Sequence, residues 1–298
     1  MNRLLYSLIV FPFSLLPLKC LMVLRPLLFV VLYQLVGYRK KVVLLNLTRS
    51  FPSETPAQIK EKAKAFYWHL STVFIEAVKN LSFSADALRS RITYTNPALI
   101  HELHAKGKNI LLVGGHYGNW EWIARRLAAE PSIQFWFVYK PLGRPWAERW
   151  LRRWRERQGL VPVPIKEVRP RLKQFFENDS LATPVALYLG ADQSPTPHSR
   201  WIVGTFLGQR TLMYQGPEEL SRAYGLRPVF VGIEPLEGGK YRVRLEEAPQ
   251  GWELEPSGFL MQWYMDRLSQ QIFRAPSYWL WSHRRWKLDG LETQTPTT

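Results

Sequence analysis

The stretch 108–122 reads Lys-Asn-Ile-Leu-Leu-Val-Gly-Gly-His-Tyr-Gly-Asn-Trp-Glu-Trp, and it restricts the fold more than any other part of the chain. Ile110, Leu111, Leu112 and Val113 make an apolar run too short for a helix and rich in branched side chains, which predicts a buried strand. Gly114 and Gly115 let the backbone turn sharply behind it. Asn119 is a good N-cap for a helix over 120–129, closed by Pro131. His116 and Glu121 therefore fall where a strand passes into a helix. Open α/β sheets bind their ligands at such places.

The spacing His-x4-Glu has a chemical reading. A neutral imidazole takes the proton of a hydroxyl as that oxygen attacks a carbonyl, and a carboxylate behind the ring fixes the tautomer and stabilises the imidazolium. The helix N-terminus adds free N–H groups and the positive end of a dipole near the developing oxyanion. The same residues fit a plainer arrangement, a loop histidine satisfied by hydrogen bonds, with Glu121 complementing the helix dipole. Spacing alone does not separate the two.

Residues 4–36 are apolar but interrupted by Lys19, Arg25, Pro12, Pro17 and Pro26. The uncharged run over 4–18 is shorter than the roughly 20 residues a clean span needs. Residues 1–37 are predicted to be an uncleaved membrane anchor, either one transmembrane helix or a kinked interfacial hairpin, ahead of a body over 38–298. Arg39, Lys40 and Lys41 follow directly, and the positive-inside rule keeps that body cytoplasmic. Across the chain 40 Lys+Arg stand against 24 Asp+Glu, a formal charge of +16 that implies an anionic partner. The 13 Trp favour a membrane interface over generic nucleic-acid binding. The single cysteine, Cys20, excludes an intrachain disulfide framework and a cysteine-rich zinc site.

Elsewhere the pattern alternates. A helix is predicted over 57–80, a strand over 92–94 and a helix over 97–106. Strands over 133–139, within 159–165 and over 185–189 alternate with helices over 144–158 and 171–178. A helix over 217–224, a strand pair over 228–234 and 241–245 joined through Gly238-Gly239, and an amphipathic helix over 259–273 follow. In 144–158, Trp146, Trp150 and Trp154 form one stripe flanked by Arg149, Arg153 and Arg157, and Arg155 points away from it. Such a helix suits a headgroup layer, with Trp in the acyl boundary and Arg on phosphates, or it packs its Trp face on the sheet. Asp192 stands at the end of strand 185–189, on the same edge as His116. A carboxylate there binds a metal, orients a base, holds a lysine or caps a turn. His283, beside Arg284 and Arg285, reads as structural or anion-binding.

Taken together, these motifs resemble the late acyltransferases of bacterial lipid A biosynthesis, within the lysophospholipid acyltransferase superfamily. The resemblance is carried by Gly-Gly-His-Tyr-Gly-Asn-Trp-Glu at 114–121, Tyr139-Lys140-Pro141, the Arg-rich run with Arg155 ahead of Gly159, and Asp192-Gln193. Phe206-Leu207-Gly208 with Thr211 and Gly216, and the ending over 276–287, complete it. It implies an α/β fold with a central mainly parallel sheet flanked by helices, glycerol-3-phosphate acyltransferase-like, in agreement with the alternation above. It also implies transfer of a fatty acyl chain from acyl carrier protein to a hydroxyl of a lipid A precursor, at the cytoplasmic face of the inner membrane. On that resemblance His116 is expected to be the general base and Glu121 its orienting partner. Arg155, with Arg153 able to exchange roles with it, is expected to steady substrate phosphate, and Asp192 to support the site. Lys140 stands where the family often has Arg, keeping charge but losing paired hydrogen bonds; Asp266 falls where many members carry Glu. The expected partners are acyl carrier protein, an anionic lipid acceptor and the membrane. The thioester is already activated, so no metal or cofactor is expected, and no nucleic-acid motif accompanies the charge. The alternative is the same chemistry on a lysophospholipid, an aminolipid or a glycosylated phospholipid.

Overall fold

The computed structural model describes residues 10–130, 134–178, 184–196 and 199–288; Pro131, Ile133, the first nine residues and the tail beyond Leu288 lie outside the described residues. The chain opens with helices α1 (Phe11–Leu15), α2 (Leu18–Met22) and α3 (Arg25–Phe29), then a π-helical stretch Val30–Leu35. Next come α4 (Lys40–Ser50), α5 (Pro56–Lys79), α6 (Ala85–Arg89), β1 (Ile92–Tyr94), α7 (Ala98–Ala105), β2 (Ile110–Gly114) and α8 (Trp120–Ala128). They are followed by β3 (Gln134–Tyr139), α9 (Pro145–Arg157), β4 (Val161–Pro164), α10 (Val168–Asn178) and β5 (Val185–Gly190). The last part holds β6 (Trp201–Phe206), β7 (Gln209–Tyr214), α11 (Gly216–Tyr224), β8 (Arg227–Leu236), β9 (Lys240–Glu247) and α12 (Phe259–Arg274).

Among the described residues seven strands form one sheet in the order β1-β9-β8-β2-β5-β3-β4. Its neighbours are parallel except for the hairpin β8–β9. This is the expected α/β fold with a mostly parallel sheet flanked by helices. Every residue of β2 is buried, as a central parallel strand covered on both faces requires. β9 instead alternates buried and exposed residues over most of its length, the pattern of a strand with one wet face.

β6 and β7 pair as a separate antiparallel hairpin, and no strand is predicted for them from sequence. Much of β6 is only half-buried or exposed, so its residues carry little apolar alternation to read. The turn is tight, with Leu207 and Gly208 at φ values of 50° and 73°.

The N-terminal segment departs from one form of the expected anchor. Among the described residues no helix is long and apolar enough to cross a membrane. Its helices are short because Pro12 and Pro26 open new first turns and Leu16 and Pro17 leave helical geometry altogether. The break exposes carbonyls, and the long helix supplies their donor: Nζ of Lys79 donates to the oxygens of Ser14 and Leu16 at 2.9 and 3.0 Å. Helix α5 itself starts on a capping box between Thr55 and Gln58, with Pro56 in the first turn. Between α5 and the N-terminal helices lies an apolar cavity of about 410 Å³, lined in part by Leu21, Leu24, Leu28, Leu32, Ile75 and Val78.

Candidate active site

Strand register brings the site together. β2 and β5 are parallel neighbours, with Gly114 opposite Gly190. His116 follows the first glycine by two residues, and Asp192 follows the second by two. At the carboxyl edge Nδ1 of His116 lies 2.6 Å from Oδ1 of Asp192, and the His116 backbone N–H donates to Oδ2 at 2.9 Å. The indole N–H of Trp279 donates to the same Oδ2 at 2.8 Å. A Cβ on Gly190 would stand 3.0 Å from Cε1 of His116, so that strand end has little room for a side chain.

Gly118, at φ 56°, then turns the chain toward α8. Asn119 caps the helix as predicted, accepting from the Trp122 N–H at 3.0 Å, and its own amide donates to Oε2 of Glu76 at 2.8 Å. Glu76 is buried on α5, and burial pushes its carboxyl up to about 7 against the pull of Asn119, Tyr241 and Arg91.

The electrostatics of the pair follow from its partners. Burial alone would raise the Asp192 carboxyl, but the charge of His116, its two hydrogen bonds and the Trp279 N–H hold it down at about 2. Burial works to lower the His116 imidazole; the charge and hydrogen bond of Asp192, then the charge of Glu121, outweigh it and leave the ring a stronger base than a free histidine. With Asp192 ionised, the neutral ring keeps its proton on Nδ1 and presents the lone pair of Nε2. The ring remains 23% exposed, open to a reactant. Nε2 faces the side-chain amide of Gln193, whose nitrogen is 3.2 Å away.

Glu121, expected from sequence to orient His116, is not the carboxylate on the ring. It accepts from Nη2 of Arg155 at 2.8 Å instead. It stands in the first turn of α8, whereas Asp192 ends the strand beside β2. Arg155 is buried, its guanidinium 4.5 Å and 5.0 Å from the ring centres of Phe137 and Tyr139, and Nε and Nη1 have no hydrogen-bond partner among the described residues. The inward face of α9 thus centres on Arg155. Trp146, Trp150 and Trp154 are half-buried, while Arg149, Arg153, Arg157 and the nearby Lys140 are exposed.

Sequence reasoning overlooked Gln193 and Trp279 as neighbours of the reacting groups, and Glu76 beneath the cap. A signal for the His116–Asp192 pair was present: each residue follows its strand's glycine at the same distance. His283 is a neighbour too, accepting the Ser194 N–H on Nε2 at 3.1 Å. Burial, outweighing the charge of Asp192, lowers it to about 4, so it is neutral and structural, in line with its reading from sequence. Among the described residues no group of three or more His, Cys, Asp or Glu is placed to hold a metal ion.

A family described as bacterial lipid A biosynthesis acyltransferase matches residues 4–288. Among curated relatives the chain is similar to the lipid A biosynthesis lauroyltransferase of Escherichia coli (strain K12), 26% identical over 191 residues. That match covers 63% of this chain and 59% of the relative, less than two thirds of its length.

Proposed function

The chain belongs to the bacterial lipid A biosynthesis acyltransferase family, and from that premise we propose that it moves a fatty acyl chain from acyl carrier protein to a hydroxyl of a lipid A precursor. His116 is the general base. The observation that carries this reading is the 2.6 Å contact of Nδ1 with Asp192, which leaves Nε2, the nitrogen facing Gln193, as the proton-accepting one.

In the reaction the acceptor oxygen attacks the thioester carbonyl as its proton passes to Nε2. The carbonyl electron pair moves to oxygen, returns, and breaks the C–S bond. The departing thiolate takes the proton from Nε2, and the ring is restored. Asp192 fixes the tautomer and stabilises the imidazolium, the part first expected of Glu121. Glu121 contributes its charge to the basicity of the ring and holds Arg155. The positive charge of Arg155 favours a phosphate of the acceptor from behind Glu121, with the exposed Arg153 and Lys140 as outer binding charges. The thioester needs no metal or cofactor to activate it.

The protein works at the cytoplasmic face of the inner membrane, held there by the interfacial form of its anchor. Phe11, Leu15, Val23, Leu27, Leu35 and Val36 are exposed apolar residues of the N-terminal segment, and Trp68 and Phe74 of α5 extend the apolar surface. The net positive charge favours anionic lipid and an acidic carrier protein alike.

The test is to incubate the purified protein, and His116→Ala beside it, with acyl carrier protein thioesters and a lipid A precursor, and to weigh the product by mass spectrometry. One added acyl mass, absent with the variant, is the expected result. Intact donor and acceptor with a folded wild-type protein would sink this reading and direct the search to other lipid acceptors.

A further inference from the structure

We propose that Gln193 is a catalytic residue, its side-chain amide holding the place of the acceptor hydroxyl at His116 and then donating to the oxygen that gains charge during transfer. The inference rests on His116 acting as the base.

Asp192 leaves the neutral ring only one way to bond Gln193. Its Oδ1 takes Nδ1, and its Oδ2 is shared by the His116 backbone N–H and the indole of Trp279. Nδ1 is therefore the protonated nitrogen, and the 3.2 Å contact on the far side of the ring is Gln193 donating an N–H to Nε2. Any hydroxyl that gives its proton to Nε2 must come to the same distance along the same lone pair. The amide must yield that place before reaction.

It yields by turning its side chain, because the backbone on both sides is held. Ala191 and Asp192 are buried before it, and Ser194 after it is pinned by its N–H to His283 and its hydroxyl to the oxygen of Arg284. Displaced from Nε2, the amide stays within one side-chain rotation of the reacting carbon. An amide also suits both states of the ring. Its N–H serves the neutral imidazole, its carbonyl accepts from the imidazolium, and it does not itself titrate.

The step balances. The hydroxyl oxygen bonds to the thioester carbon while its proton goes to Nε2, and the carbonyl electron pair moves to oxygen, where the Gln193 N–H receives it. The pair returns, the C–S bond breaks, and the thiolate leaves with the proton of Nε2. The groups around the ring that carry or change charge are Asp192, Glu121 with its partner Arg155, and the neutral His283.

Two variants test the proposal. Gln193→Leu keeps volume and removes the donor; kcat is expected to fall roughly 10- to 100-fold with KM for both substrates nearly unchanged, as for loss of an interaction made in the transition state. Gln193→Glu keeps shape but sets a carboxylate against Nε2. It holds the imidazolium, and the acid limb of kcat/KM is expected to move up by about one pH unit or more. A purely structural role would lower the melting temperature and leave kcat per folded enzyme and the pH limb where they were. Wild-type kcat in the leucine variant with an unmoved limb in the glutamate variant overturns the proposal. If the wild type transfers to no acceptor, the functional reading fails on its own. The His116 ring titration, followed by NMR in wild type and Gln193→Glu, then decides the contact: an upward shift supports it and no shift overturns it.

Discussion

The carboxyl edge of the sheet and the N-terminal helices treat burial in opposite ways. At the edge, Asp192 is 2% exposed and ionised, and both of its oxygens have donors. In the N-terminal segment Val23, Leu27, Leu35 and Val36 are 75, 63, 74 and 67% exposed although nothing in them seeks water. Water alone does not select the second arrangement, because an exposed apolar patch of that kind lowers solubility without stabilising the fold. One region is finished by its own chain; on the function proposed above, the other is finished by a lipid surface. Damage to either should leave the other working.

The largest break in that comparison is His116→Ala. Transfer is expected to fall by at least about 10³-fold, while circular dichroism and vesicle binding stay as in the wild type. Loss of vesicle binding in that variant would show that the two regions are not independent.

Asp192→Asn comes next, with a rate loss of roughly 10²- to 10⁴-fold. Its pH profile sharpens the point. The pair raises the imidazole above its ordinary value, so a base at His116 is expected to be protonated and idle at low pH and to gain activity as pH rises through that raised pKa. Removing the carboxylate charge should move that limb to lower pH. The residual kcat/KM measured against pH checks the direction.

Arg155→Ala is expected to cost about tenfold or more in transfer, and Lys140→Ala only a few-fold, because Arg155 is buried against Glu121 and Lys140 is exposed. Equal losses would remove Arg155 from the site. On the other side of the comparison, Leu24→Asp with Leu27→Asp should lower the vesicle-bound fraction several-fold in a flotation assay, with transfer to a detergent-dispersed acceptor unchanged.

The smallest effect is expected beneath the site. The folded-state carboxyl of Glu76 is raised to about 7, so the folded protein holds its proton more tightly than the unfolded chain, and stability falls as pH rises from about 4.5 through 7. Glu76→Gln should leave stability at pH 5 close to wild type and raise it at pH 8, as read by denaturant midpoints. A variant no more stable at pH 8 would remove the buried charge from the account. Since the amide can still meet Asn119, kcat should change by no more than about twofold.

Much of this was legible from the chain alone. The apolar run of β2, the glycines behind it and the Asn119 cap are local features, and they located His116 at a strand's carboxyl end before any sheet was known. The order of strands and helices beyond it gave the α/β class, with boundaries mostly within a few residues. These readings worked because periodicity and capping depend on neighbours a few residues apart. Tertiary structure decided which carboxylate meets the imidazole. Glu121 is five residues from His116 and Asp192 is 76, yet the pairing of Gly114 with Gly190 sets Asp192 on the ring and leaves Glu121 to Arg155. The matched glycine spacings put both residues at strand ends on one edge, but sheet register is a long-range choice made by the packing of whole strands, and it alone makes them neighbours.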